Sequence, residues 1–320
     1  MQKEMIVNKI PAKTWYRLNM NDATVLWDQD NTYSLSQESI ETKENETKEV
    51  VITVEDDSSS SEHSYSSKNI TITAGKASKI TAYVMMKAHQ NMAINLNLNT
   101  EEDATIKLVE VQLADSDAVI VNNIKGTCSD QSAIEVVHFF MGRGQIFSDS
   151  QIDLLGKKSR AAFDVGYIGN SPVAGKAGAK GDNIDINILI NHIGKKTESD
   201  INVNGALKDG ATKTFRGTID FKTGSSDSVG NEQETVILLG EDVINKTIPI
   251  ILCAEENVVG NHGGSIGELD DDLLFYFESR GIGREEAENI MARASIERVL
   301  RLVDNESVRE EITNKLEEIL

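Results

Sequence analysis

Ala93-Ile94-Asn95-Leu96-Asn97-Leu98 alternates apolar and amide side chains without a break. A period of two sends one set of side chains to a core and the other to solvent, so the stretch reads as a half-buried β-strand. The same period recurs on both sides of it. Ile70-Thr71-Ile72-Thr73 precedes it and Thr105-Ile106-Lys107-Leu108-Val109 follows. Ile184-Asp185-Ile186-Asn187-Ile188, Ile201-Asn202-Val203-Asn204 and Thr218-Ile219-Asp220-Phe221 repeat it further on. Turn formers such as Gly142-Arg143-Gly144 and Lys208-Asp209-Gly210 separate the strands. Between about residues 70 and 252 no convincing helix interrupts the pattern, so the crossovers of a doubly wound sheet are missing and the region is all-β.

Alternation does not identify strand partners, and sandwich, barrel and β-helix all satisfy it. Composition tilts the balance. Aromatic residues are only 5% of the chain and prolines number 3. A β-helix has a narrow interior that Ile, Val and Leu fill, and amides such as Asn95, Asn97 and Asn99 suit stacking from coil to coil.

From Asp270 the period changes. Leu273, Leu274 and Phe277 follow helical spacing, as do Ala287, Ile290, Met291 and Ala294, then Val308, Ile312 and Leu316. Asp270 to Asp272 favour a helix N-terminus, Gly281 is placed as a stop, and Ser307-Val308-Arg309-Glu310 fits a capping box with Asn305 as a rival cap. The expected organisation is an N-terminal cap and linker over 1–65, a β core over 66–267 and a small helical domain over 268–320. Trp15 and Trp27 are read as packing of the cap over one end of the core. Asp56 to Glu62, charged and serine-rich, is read as a loop.

Composition removes several functions. With 320 residues and 39% hydrophobic content the chain builds a core. Fifty-two acidic against 32 basic residues give a net charge of -20, which repels nucleic acid. No apolar run nears the roughly 20 residues of a membrane helix, and the first residues lack a signal-peptide core, so a cytoplasmic protein is expected. Cys128 and Cys253 make no disulfide framework and no zinc site. Cys128 is read in a turn, and Cys253, within Ile250-Ile251-Leu252-Cys253, as a buried thiol. The run from Gly169 to Ala177 fails as a phosphate loop: five residues separate its glycines where four are needed, and Ala177 stands where Ser or Thr would hold Mg²⁺. No ATP site follows, and no nucleophile elbow points to a hydrolase.

His262 is the sharpest candidate for chemistry. A near-neutral imidazole ligates transition metals, and Gly260, Gly263 and Gly264 let a ligand or partner approach the backbone. The run His262-Gly263-Gly264-Ser265, then Leu269-Asp270-Asp271, Leu274-Phe275-Tyr276 and Ser279-Arg280-Gly281-Ile282, resembles the C-terminal signature of the SufB/SufD family of SUF iron-sulfur assembly scaffolds. Thr14 to Asn21 is similar to the opening of its short members, and Asn191-His192-Ile193-Gly194 and Phe215-Arg216-Gly217 to runs in its β core.

The resemblance implies a right-handed parallel β-helix and a non-enzymatic scaffold for a transient iron-sulfur cluster. His262 would be a cluster or iron ligand, with Cys253 a weaker candidate. It implies a SufC-type ABC ATPase docked at Leu273, Leu274, Phe275, Tyr276, Phe277, Arg280 and Gly281, and pairing with a second scaffold or with itself. Gly260 stands where many SufD-like chains have cysteine and Gly263 where SufB chains have glutamate, which brings the turn nearer SufD. The alternatives are a metal-free interaction scaffold and a carbohydrate-active β-helix enzyme.

Overall fold

A computed structural model describes residues 2–14, 16–28, 34–55, 66–115, 118–172 and 180–320. Trp15, the Asp56 to Glu62 run and Gly175 to Ala177 lie outside the described residues. Two N-terminal strands, β1 (Gln2–Val7) and β2 (Ala23–Asp28), form an antiparallel pair. Sixteen further strands follow: β3 (Ser34–Glu41), β4 (Thr47–Glu55), β5 (Ser66–Ala74), β6 (Lys79–Ala88), β7 (Met92–Thr100), β8 (Thr105–Ala114), β9 (Val119–Cys128), β10 (Ala133–Phe140), β11 (Gln145–Leu154), β12 (Arg160–Gly169), β13 (Asn183–His192), β14 (Glu198–Lys208), β15 (Thr212–Phe221), β16 (Ser228–Leu239), β17 (Ile244–Cys253) and β18 (Val258–Glu268). The odd strands from β3 build one parallel sheet and the even strands from β4 the other. The chain is therefore a parallel β-helix, each coil contributing one strand to each sheet. The ladder begins at β3 and β4, inside the segment that the sequence suggested as cap and linker.

Inward side chains form one continuous core of Ile, Leu, Val and Met, with Phe140, Phe163, Phe215 and Phe221 toward its C-terminal half. Outside, amides stack as their alternation suggested: Asn95 donates to Asn69 at 2.8 Å and Asn123 donates to Asn95 at 3.1 Å, one coil apart. The corner from odd to even sheet is a repeated device. Asn45, Ala77, Asp103, Gln131, Lys158, Lys196 and Asp227 all sit there at φ between 53° and 63°. Left-handed backbone costs an L-residue about 1 kcal/mol or more. Each N–H in return donates across the stack, Ala77 to the Glu102 carbonyl at 2.9 Å and Gln131 to that of Lys157 at 2.9 Å among them.

Three helices follow: α1 (Asp271–Glu278), α2 (Arg284–Leu300) and α3 (Glu306–Ile319). Asp270 caps α1, accepting from the Asp272 N–H at 3.0 Å, and Asn305 rather than Ser307 caps α3, accepting from Val308 N–H at 3.1 Å. The helices fold back over the outer face of the even sheet, where Ile296, Val299, Ile312 and Leu316 pack on Val109, Val111, Val137 and Phe139. Two sequence expectations change as a result. Strands β6, β8, β10, β12 and β14 are covered on both faces over their central residues, and the buried stripe of α2 runs through Ala287, as the spacing suggested, and on through Ala292, Ile296 and Val299, with Met291 half-buried and Ile290 and Ala294 exposed. Gly166 helps set that stripe, since a β-carbon there would stand 3.3 Å from Ile296 Cδ1. Lys107 pairs with Asp304 at 2.7 Å and Lys87 with Glu311 at 2.6 Å, tying the helices to coils distant in sequence.

The β1–β2 ribbon lies on the flank of the odd sheet, with Val25 against Val119, Val121 and Phe147. Arg216 anchors it: its guanidinium donates to the carbonyls of Met20 at 2.7 Å and Asp22 at 3.0 Å while pairing with Asp185 at 2.5 Å. No helix among the described residues is long and apolar enough to cross a membrane.

Candidate functional site

The last coil differs from those below it. β18 bonds to β16 on one side and β17 to β15, and among the described residues neither has a strand on its other side. Along β18 every residue is exposed or half-buried. His262 sits in this edge strand, not in a turn, and is exposed. The glycines around it extend a strand instead of bending the chain because β16 supplies a template in register, Gly230 to Gly260 and Glu232 to His262.

Gly260 points at the core: a β-carbon there would lie 3.0 Å from Ile251 Cγ2 and 3.1 Å from Phe221 Cε2. The position is thus tight for any side chain beyond the glycine hydrogen. A β-carbon at Gly263 would come 2.6 Å from Gln233 Oε1, whereas Gly264 faces open space.

Cys253 is exposed, at the end of β17, with its thiol donating to the Glu255 carbonyl at 3.0 Å. This corrects the buried reading: the apolar run before it belongs to an edge strand with no coil above. Cys128 is fully buried at the end of β9, not in a turn, and burial pushes its thiol up to about 12. Among the described residues no three His, Cys, Asp or Glu side chains gather as a metal site, so His262 and Cys253, on the end strands of different sheets, form no ligand set.

Directly beneath the edge lies a charged cluster that motif reading missed. Lys213, Glu232 and Glu234 are buried inside the β-helix. Lys213 Nζ donates to Glu234 Oε1 and, at 3.1 Å, to Thr247 Oγ1 of the last coil. Its ammonium also lies 5.9 Å from the Tyr167 ring and 5.7 Å from that of Phe215. Gly217 makes room across the lumen, since its β-carbon would fall 2.4 Å from Glu232 Oε2. Burial first, and then the charge of Glu234, push the Glu232 carboxyl up to about 8 against the opposing pull of Lys213. Burial lowers Lys213, with Glu234 opposing. Parity was the available signal: Lys213 has the inward parity of Phe215 and Phe221, and Glu232 and Glu234 that of Val236.

His192 is structural. Its ring accepts or donates to Thr197 Oγ1 at 2.7 Å and Ser199 Oγ at 2.8 Å, stacks 4.6 Å from Phe221, and is held down at about 4 by burial.

Two residues after β18, α1 presents an apolar face. Leu274 is buried and Leu273 and Phe277 half-buried, while Phe275 and Tyr276 are 71% and 49% exposed. The Arg280 guanidinium stacks 4.5 Å from the Tyr276 ring, and Gly281 closes the helix at φ 83°.

A family model, the SufBD core domain of SUF-system FeS cluster assembly, matches residues 56–295. The iron-sulfur cluster assembly protein SufD of Bacillus subtilis (strain 168) is 27% identical over 219 residues, 68% of this chain and 48% of that protein. An iron-sulfur cluster assembly SufBD family protein of Mycobacterium leprae (strain TN) is 22% identical over 200 residues, 59% of this chain and 51% of the relative. SufB of Bacillus subtilis is 26% identical over 118 residues, 37% of this chain and 25% of that protein. The chain thus spans about half the length of the first two relatives.

Proposed function

The chain belongs to the SufBD core family, and we propose that it is a non-enzymatic, cytoplasmic scaffold on which iron-sulfur clusters are assembled and passed on, nearer SufD than SufB. One observation carries the reading: the bare last coil, with His262 on its edge, runs within two residues into a helix whose aromatic side chains face solvent. An unpaired strand edge adds a partner strand through its free backbone groups. Exposed Phe275 and Tyr276 beside Arg280 have the composition of an interface anchor.

In this account a SufC-type ABC ATPase docks on α1, and a second scaffold, or a second copy of this chain, pairs along β17 and β18. The cluster is cargo. His262 offers it an imidazole nitrogen, Cys253 is the weaker donor, and the remaining ligands come from the paired scaffold, since among the described residues no three ligating side chains gather. Closure of the ATPases would strain α1 and, through the short link at Leu269, the edge that holds the cargo. The N-terminal strands, the β-helix and the C-terminal helices act as latch, platform and docking domain. Neither nucleic acid nor a membrane is a partner.

Anaerobic reconstitution with iron and sulfide, with and without the candidate ATPase, tests this. Cluster absorption that weakens in His262→Ala, and ATPase binding lost in Phe275→Ala/Tyr276→Ala, are the expected results. ATPase binding with no cluster signal would reduce the chain to a metal-free scaffold. Neither binding nor absorption would refute the proposal.

A further inference from the structure

Far from the C-terminal edge, the interior carries a second polar layer that the proposed function does not use. Glu110 and Gln112 of β8, Asn122 of β9, His138 of β10, and Ser148 and Ser150 of β11 are all fully buried in the lumen, with the rings of Phe140 and Phe163 5.2 and 6.2 Å from that of His138. The layer is built around one carboxylate. Gln112 Nε2 donates to Glu110 Oε1 at 2.9 Å, Asn122 Nδ2 donates to Oε2 at 3.0 Å, and His138 Nε2 stands 2.9 Å from the same Oε2. That imidazole contact lacks hydrogen-bond alignment, so both ring nitrogens of His138 are unpartnered. So are Gln112 Oε1, Asn122 Oδ1 and Ser150 Oγ.

A buried polar atom without a partner forfeits the hydrogen bond that water gave it, and five in one layer strain a marginally stable fold. The basic group beside the carboxylate is the His138 ring, 2.9 Å away. Among the described residues the fully buried cations are Lys213, held by Glu234, and Arg216, held by Asp185 on the outer flank. No Lys or Arg serves Glu110.

We propose that Glu110 and His138 are ligands of a divalent first-row transition-metal ion enclosed in the middle of the β-helix. Two atoms 2.9 Å apart leave no room for water between them. An ion about 2.1 Å from each would see them at roughly 90°, the edge of a coordination polyhedron. The Asn122 amide, turned over, puts Oδ1 where Nδ2 stands, 3.0 Å from Glu110 Oε2, and Ser148 Oγ lies 3.4 Å from that same amide nitrogen. Imidazole nitrogen, carboxylate, amide oxygen and hydroxyl form a borderline-to-hard donor set, suited to Mn²⁺, Fe²⁺ or Zn²⁺. The ligands come from both sheets and consecutive coils, so the ion would enter as the coils close and would fix their register.

The test is the metal content of the full chain, produced with Mn²⁺, Fe²⁺ and Zn²⁺ in the medium, purified in EDTA and measured by mass spectrometry. One tightly held ion per chain is expected, released by EDTA only on unfolding, retained in His262→Ala and lost in Glu110→Gln and His138→Gln. Should those variants fail to fold, the wild-type chain decides alone. A folded chain without a stoichiometric ion overturns the proposal and leaves the layer to ordered water. So does an ion that His262→Ala removes.

Discussion

The middle of the even sheet and its last strand have the same backbone and opposite surroundings. In β8 and β12 both faces are buried, inward by the lumen and outward by α2 and α3. In β18 the helices are absent, the partner edge is free, and glycine occupies four of eleven positions. The difference separates two tasks. The covered coils supply stability through burial, while the last coil adds little to folding and keeps its backbone groups available.

Substitution at matched apolar residues exposes that difference most strongly. Ile296→Ala, fully buried against the even sheet, is expected to cost about 3 kcal/mol in denaturant unfolding, and Ile266→Ala on β18 less than about 0.5 kcal/mol. Equal losses would erase the distinction.

Acid acts next. His192 titrates near 6.5 when unfolded and at about 4 when folded, so the unfolded chain binds the extra proton between those values. Stability should hold above pH 6.5 and fall by about 3 kcal/mol as pH drops through 4, with the slope reduced in a folded His192→Gln variant. Alkali tests the cluster under the last coil with the opposite sign. The Glu232 carboxyl, raised to about 8, contributes stability that is full below its unfolded value and is lost as pH rises through 8. Glu232→Gln should flatten this alkaline slope. The smallest change falls on the outer ladder: Asn261→Ala removes one amide bond to Asn231 at an exposed edge and should cost about 0.5 kcal/mol by thermal unfolding.

Much of this was legible in the chain. Period-two runs became strands, the amides of Asn95 and its neighbours became a ladder, and the apolar stripe Val308, Ile312 and Leu316 is the buried face of α3. What escaped depends on distance. Ala77, Gln131 and Lys158 are not turn formers, and their left-handed corners exist because the next coil offers a carbonyl to each. The face of α2 was read correctly at Ala287 but not at Ile290 and Ala294, because its seat, at Gly166, lies more than a hundred residues earlier. Around the candidate site, helix α1 and its caps were readable from local chemistry. Lys213, Glu232 and Glu234 were not, because their meaning lies in parity across two strands, and the strand position of His262 required the template of β16.

Amide hydrogen exchange along β18, in the dilute chain and in its complex with a second scaffold, bears most directly on the central claim that the last coil is a partner-binding edge. The account predicts that β18 exchanges fastest among the even strands when the chain is alone and becomes protected on pairing, while β12 stays slow throughout. Protection of β18 in the isolated chain equal to that of β12, or no change on complex formation, would contradict it.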